Sequence, residues 1–538
     1  MTGAELFVRC LEEGGVDTVY ALPGEETTDL MAALGASNID IVLCRHEQAA
    51  AFMASVHGRL TGRPAACLAT LGPGATNLVT GVADAQLDHA PLLAITGQGA
   101  RSRIGQGQDS HQIIDLERLF APVSKLSRSL RTAQEIPGAV AEALHTATQP
   151  RPGAVHLSLP EDLAAEETDG TPVPATSATQ PAPSAEAMAE VAKQLAAANC
   201  PIVLGGAGVL RADASDLLRT FLEETGLPLA TSFMSAGILP ADHPQNLGAF
   251  GLPTHDHVDD AIAAADMILT VGLDPVEYPL GKLTKHGQTP ALSIAEVSLP
   301  RDAGWHLQAE VVGDVAVTLP QLETTLSAQR WALPEAAITA RDALRADRAA
   351  AAWQHGSPPG APALVHAIEG ALAPNALMIS GVGTHKLALA RNFMPKRAGQ
   401  MIIGNGLAGM GLALPGAIAA ARLDPKRPVL AVCGDGDVMM NVQDMETASR
   451  LGIDLTVVVW IDGGYGLIED KQEEATGTRP DLGFCGIDWR QLAGAFSWTH
   501  IACESAAALG EDLAAAMSPS KRGRTLITVP VRYDGSLA

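Results

Sequence analysis

The feature that most limits what this chain can fold into is a rhythm. Short apolar runs, each closed by glycine, proline or a polar break, alternate with stretches of helical periodicity. Near the start the runs are VDTVYAL (16–22), IDIVLCR (39–45), PAACLAT (64–70) and PLLAITG (91–97), with helical sequence such as EQAAAFMASVHGRL between them. The rhythm returns in PIVLGG, MILTVG and ALSIAE, and again in ALMISG, MIIG, VLAVCG, LTVVVWI and TLITVPV. Strands separated by helices pair in parallel, and helices then cover both sheet faces, so such strands read as continuous apolar runs. The expectation is an α/β protein made of three doubly wound parallel-sheet domains.

The boundaries follow from composition. A Pro-, Ala-, Thr- and Ser-rich stretch from about 161 to 188 has little apolar patterning and reads as a linker. A helical stretch followed by GSPPGAP precedes the third block. The expected order is an N-terminal domain over 1–165, a linker over 166–188, a central domain over 189–335, a helical linker over 336–358 and a C-terminal domain over 359–538. Three domains suit 538 residues.

A formal net charge of −24 speaks against a nucleic-acid partner, which needs a basic surface. No apolar run reaches the ~18 residues of a membrane span. The opening MTGAELFVRCLEEGG reads as an amphipathic helix, with Thr2 and Glu5 at capping-box spacing and Gly14-Gly15 as its stop, rather than as a signal peptide. The seven cysteines are scattered without CxxC pairs, which fits reduced core thiols in a cytoplasmic protein and not a zinc site.

The chemistry concentrates in VLAVCGDGDVMMNVQDMETASRLGIDLTVVVWIDGGYG. This reads as strand, acidic glycine loop, helix, strand, acidic glycine loop. In a doubly wound sheet both loops lie at the carboxyl ends of strands, where ligands bind. Asp435 and Asp462 therefore come together and offer hard oxygen ligands suited to Mg²⁺, with a backbone carbonyl of the second loop and phosphate oxygens completing the shell. Flanking glycines let amide N–H groups approach a diphosphate. Asp437 reads as a helix cap or as part of the same anion-facing loop. PIVLGGAGVLRADA has Gly206 and Gly208 but Arg211 where a dinucleotide fingerprint has its third glycine, a weak nucleotide signal.

Gly434-Asp435-Gly436, then twenty-four residues, then Ile461-Asp462 resembles the GDG…NN signature of thiamine diphosphate enzymes. RHEQAAAFMASVHGRLTGRP, CLATLGPGATNLVTGVADA, AITGQ, SHQIIDLERLF, VGLDPVEY, VGTHKL, GMGLALPGAIAA and GGYGLIEDKQ extend the likeness along the chain. It is nearest to the acetolactate synthase branch. The resemblance implies pyrimidine-binding, central and diphosphate-binding domains in that order. It implies thiamine diphosphate and Mg²⁺ as cofactors, with Asp435, Asp462 and the Gly464 carbonyl on the metal. Glu47 would be the acid that protonates the cofactor's aminopyrimidine ring. Gly24, Val382, Gly383, Thr384, His385, Gly436, Asp437, Tyr465, Gly466 and Leu467 would line the cofactor. Met410 would support its bent shape, and the Ala408 carbonyl would receive its amino group. His111, Gln112 and Lys471 would face a 2-oxo acid. Glu47 and the metal loop would come from different subunits of a homodimer or homotetramer.

Departures matter as much. VGLDPVEYP carries Asp274 and no arginine where flavin-containing relatives have one, which resembles the FAD-independent, catabolic-type branch and argues against an obligatory flavin and against a regulatory small subunit. Ile461 replaces an Asn of the signature, Asp437 adds a charge beside the diphosphate, and Asp470 stands where relatives often have Trp. The expected activity is that of a carboligase making acetolactate from two pyruvates; the alternatives are a decarboxylase or lyase on another 2-oxo acid and a cofactor-binding paralogue without turnover.

Overall fold

The computed structural model describes residues 1–533 except 108, 109, 175, 177, 178, 254, 286, 302, 303 and 353–357; side chains of 351 and 352 are also outside the description. It contains three six-stranded sheets, every strand pair within them parallel. The first sheet has β1 (Thr18–Leu22), β2 (Asp40–Leu43), β3 (Ala65–Ala69), β4 (Leu92–Gln98), β5 (Leu126–Ser129) and β6 (Ala154–Pro160) in the order β2-β1-β3-β4-β6-β5. The second has β7 (Pro201–Gly205), β8 (Leu229–Thr231), β9 (Asn246–Ala249), β10 (Met267–Val271), β11 (Pro290–Ala295) and β12 (His306–Val312) in the order β12-β11-β10-β7-β8-β9. The third has β13 (Leu377–Ser380), β14 (Met401–Ile403), β15 (Val429–Gly434), β16 (Leu455–Ile461), β17 (Thr499–Ala502) and β18 (Arg524–Pro530) in the order β14-β13-β15-β16-β18-β17.

The first and third sheets share one winding, while the second has the strand order of the dinucleotide-binding fold. The winding reverses near the middle of each sheet, between β1 and β3, between β7 and β10, and between β13 and β15. A crevice opens there outside the carboxyl ends of the strands, and ligands of open α/β sheets bind in it.

Contacts divide the chain into two compact units. One holds Met1–Thr179 with Gly406–Lys426 and Val438–Asp454; the other holds Gln180–Asn405, Arg427–Asp437 and Leu455–Ala538. The first unit is thus built from three separate stretches of sequence. Its centre is the helix Glu47–Thr61, buried continuously from Ala49 to Gly58. Small residues make this possible: a Cβ on Gly81 of the helix Pro73–Leu87 would lie 2.5 Å from the Ala51 Cβ, too close for any larger side chain. The helix Ala413–Leu423 packs against the same helix.

The N-terminal helix spans Gly3–Glu13, and its Thr2–Glu5 capping box forms as expected. Strands the apolar rhythm does not reveal are β5, β6, β8, β9, β12 and β17. β5, β12 and β17 are half-exposed and alternate too weakly to read as runs. β6 is buried, but His156 interrupts its apolar pattern; its ring lies within hydrogen-bonding distance of Thr96 (2.9 Å) and Ser127 (2.9 Å) and stacks on Phe120. Among the described residues no helix is long and apolar enough to cross a membrane, and all seven cysteines are free.

Candidate active site

In the first unit the chain leaves β2, turns through Cys44-Arg45-His46 and enters a helix whose first residue is Glu47. His46 caps that helix, its Nδ1 accepting the Gln48 N–H at 3.1 Å. Glu47 is buried, and its Oε2 accepts a hydrogen bond from Asn77 Nδ2 at 2.9 Å. Asn77 is one turn into the Pro73–Leu87 helix and was not singled out from the sequence, although ATNLVTG lies inside a quoted stretch. The other carboxylate oxygen faces the start of that helix, where a Cβ on Gly74 would lie 3.3 Å from it. A buried carboxyl with one amide partner keeps acceptor capacity for a further donor or proton.

The crevice between β1 and β3 lies beside it. Gly24, after β1, has room for no side chain because a Cβ would meet Thr70 at 2.6 Å, just after β3. Thr70 in turn donates to Glu26 at 2.7 Å. Gly72, in the left-handed region at φ 50°, abuts the Gln112 backbone, so Gln112 is brought to the turn that leads into the Pro73–Leu87 helix, whose Gly74 faces Glu47. Gln112 itself holds φ 58°. Backbone strain of this kind is sustained only where surroundings enforce it. His111 precedes it, exposed, and a cleft of about 920 Å³ opens nearby, lined in part by Ser110, Ile113 and Ile114.

The same unit carries Ala408 and Met410. Ala408 adopts φ 54°, uncommon for a residue with a Cβ, which fixes the aim of its carbonyl. Gln48 Nε2 donates to the Met410 carbonyl at 3.4 Å, tying that segment to the residue after Glu47. Met410 is half-buried.

The second unit carries the acidic loops at the ends of the adjacent strands β15 and β16. Asp435 is buried; its Oδ1 accepts the Gly436 N–H at 2.8 Å and its Oδ2 the Gly463 N–H at 2.9 Å. Asp462 faces it from the mouth of the site, open to water on one side. Partial desolvation, and then the Asp435 carboxylate, push the Asp462 carboxyl above the usual range, while water on the open side moderates the effect. Two carboxylates held against each other are the donor set of a hard cation. Among the described residues no three His, Cys, Asp or Glu side chains are grouped to hold a metal. A cation here would therefore take its other ligands from a backbone carbonyl, phosphate oxygens and water. Gly464 directs its N–H at Asp462, and Gly466 lies against Asp462 Oδ2, where a Cβ would stand 3.0 Å away. Gly436 lies under the Tyr465 and Phe484 rings, which meet edge to face at 4.8 Å. Leu467, half-buried, lies in the first turn of the helix Gly466–Thr476.

Across the β13/β15 crevice, Val382 and Gly383 precede the helix Thr384–Asn392. His385 is buried; desolvation, then the neighbouring Lys386 ammonium, push its imidazole down to about 3, so the ring is neutral. His385 Nε2 is buried without a hydrogen-bond partner among the described residues. Thr384 is buried beside it. The backbone N–H groups at the N-terminus of this helix make a cradle for an anion.

Asp437 differs from the capping role left open by the sequence. It lies within the short helix Asp435–Val438, and its Oδ1 accepts the Val382 N–H at 3.0 Å across the crevice. Gly381 is fixed by the same contact, since any Cβ would collide with the Asp437 carboxylate. Asp470 is drawn into an exposed cluster: Arg479 binds Glu469 (2.8 Å), Glu473 (3.1 Å) and Asp470. Lys471, beside it, is exposed with no ion-pair partner among the described residues. Ile461 ends β16, its carbonyl accepting the Val531 N–H at 3.0 Å.

Comparison with known proteins agrees with this layout. Residues 1–119 match the thiamine pyrophosphate enzyme N-terminal TPP binding domain, 188–322 its central domain and 381–529 its C-terminal TPP binding domain. An acetolactate synthase of Bacillus subtilis (strain 168) is 31% identical over 99% of this chain and 94% of its own length. The catabolic acetolactate synthase of Raoultella terrigena is 31% identical over 99% of this chain and 95% of its own. The acetolactate synthase isozyme 1 large subunit of Escherichia coli (strain K12) is 33% identical over 88% of this chain and 83% of its own.

Proposed function

The chain belongs to the thiamine pyrophosphate enzyme family, and from that premise we propose that it is a thiamine diphosphate- and Mg²⁺-dependent acetolactate synthase. It joins two pyruvates with loss of CO₂, taking up one proton to give 2-acetolactate. The observation that carries this reading is the facing pair Asp435 and Asp462 at neighbouring strand ends, with the amide-lined His385 crevice beside it.

When bound, thiamine diphosphate supplies the carbon nucleophile and the electron sink for decarboxylation. The chain's own residues do the rest. Asp435 and Asp462, with the Gly464 carbonyl, hold the cation. Gly383, Thr384, His385 and Gly436 receive the diphosphate, and Tyr465, Gly466 and Leu467 close over it. Gly24, Ala408 and Met410 seat the organic part. Glu47, in a dry setting with Asn77 steadying one oxygen, holds a proton for the pyrimidine ring nitrogen. His111, Gln112 and Lys471 orient the 2-oxo acid.

A flavin-free enzyme is part of the proposal, and Glu277 supports it. At the β7/β10 crevice, where a dinucleotide would bind, the Glu277 carboxylate accepts the Ala207 and Asp274 N–H groups (3.1 and 3.2 Å) and the Ser232 hydroxyl. An internal carboxylate thus takes the donors a ligand phosphate would use. The domain limits 1–165, 189–335 and 359–538, the cytoplasmic setting and a homodimer or homotetramer with shared sites belong to the same proposal.

Asp470, held by Arg479 where relatives often have Trp, favours a second reading: a decarboxylase or lyase on a different 2-oxo acid. Product analysis separates the two. Purified protein with pyruvate, thiamine diphosphate and Mg²⁺ is expected to release about one acetolactate per CO₂. CO₂ accompanied mainly by acetaldehyde would overturn the synthase reading in favour of the second.

A further inference from the structure

The segment just after the acidic loop grips the turn that presents Glu47. Asp444 lies nine residues beyond Asp435 in sequence and is completely buried. Its Oδ1 accepts the Arg45 N–H at 3.1 Å and the Thr447 hydroxyl at 2.8 Å. Its Oδ2 is buried with no hydrogen-bond partner among the described residues. Two further contacts come from the same short helix, Met445–Arg450: Arg450 donates to the Leu43 carbonyl, and Glu446 lies 3.9 Å from the Arg45 guanidinium. On the other side of Glu47, Gln48 holds the Met410 carbonyl. The residues two before and one after Glu47 are thus both anchored to stretches from late in the sequence.

A buried carboxylate with one oxygen unpartnered is a costly way to satisfy a single backbone N–H. Packing alone would be served better by an apolar side chain of similar size, which offers the Arg45 N–H no acceptor. The Arg45 N–H lies between the end of β2 and the His46 cap, so its partner fixes the direction in which the helix starts. Glu47 is the first residue of that helix, and a displacement there moves its carboxyl directly.

We propose that Asp444 is a positioning residue for Glu47, setting the turn Arg45–Glu47 so that the Glu47 carboxyl meets the cofactor ring. This rests on the thiamine diphosphate reading above. Asp444 touches neither cofactor nor substrate in this scheme, and it acts only through the turn.

The test reads cofactor activation rather than turnover: exchange of the thiazolium C2 proton of bound thiamine diphosphate, followed by NMR in quenched samples with Mg²⁺. Asp444→Ala is expected to slow exchange at least tenfold, while the cofactor's Kd stays within threefold of wild type. Asp444→Asn, which still offers an oxygen to the Arg45 N–H, is expected to keep exchange within threefold. Exchange in Asp444→Ala within threefold of wild type would overturn the proposal, as would equal loss in Asp444→Ala and Asp444→Asn. Should Asp444→Ala fail to fold, Thr447→Val removes one of the two bonds to Oδ1. It is expected to slow exchange two- to fivefold, and an unchanged rate overturns the proposal. Glu47→Gln serves as control. If wild type binds no cofactor, or Glu47→Gln exchanges as fast as wild type, the functional reading itself fails and takes this inference with it.

Discussion

Asp437 is the residue whose chemistry runs against its surroundings. It places a buried carboxylate on the Val382 N–H, in the crevice proposed to receive a diphosphate. Like charges in a part-desolvated setting repel by on the order of 1–3 kcal/mol, so the cation must offset both phosphate and Asp437. Asp437→Ser removes the charge and frees the Val382 amide. Calorimetric titration is expected to show thiamine diphosphate binding about tenfold tighter or more in this variant, with less dependence on Mg²⁺. Equal or weaker binding would mean that Asp437 organises the crevice instead of opposing the ligand. Single residues of this kind were only partly legible in the sequence. The GDG spacing points to Asp435 and Asp462 because strand, loop and helix repeat in order. Asn77 and Asp444 carry no such mark: their partners Glu47 and Arg45 lie 30 and 399 residues away, and only folding brings them together.

Among the elements, the loop after β10 carries the clearest physical consequence. Desolvation pushes the Glu277 carboxyl up to about 7, against the opposing pull of Ser232, Arg211 and two amides. An unfolded glutamate titrates near ~4.3, so the folded chain keeps this proton over a wider range. Its contribution to stability is complete below the unfolded value and falls as pH rises toward 7. Relative to Glu277→Gln, wild type is expected to lose about 2–3 kcal/mol of unfolding free energy between pH 5 and pH 7. Parallel pH-dependent slopes in urea titrations of the two proteins would contradict this. The buried strands were legible because β3, β7 and β15, and most of β10 and β16, are apolar on both faces. The edge strands β5, β12 and β17 were not, since one exposed face removes the continuous run on which that reading depends.

Over the whole molecule, one winding recurs in the first and third sheets and the dinucleotide order stands in the second. At each of these central reversals the ends of the flanking strands carry polar or glycine-rich groups. Gly24 and Thr70 stand at the first, and Glu277 fills the second from within. Val382 and the acidic loop stand at the third. Three parallel domains were readable from rhythm alone. The assignment of 406–426 and 438–454 to the first compact unit was not, because it depends on helix packing such as that of Ala413–Leu423 on Glu47–Thr61. The most direct measurement is acetolactate formation from pyruvate by flavin-stripped protein, titrated with thiamine diphosphate at fixed Mg²⁺ and again with the metal chelated. Saturation near one cofactor per chain, activity lost on chelation and no gain from added FAD are expected. Acetolactate that appears only with FAD, or a cofactor titration indifferent to chelation, would contradict the assignment of a flavin-free, metal-dependent synthase.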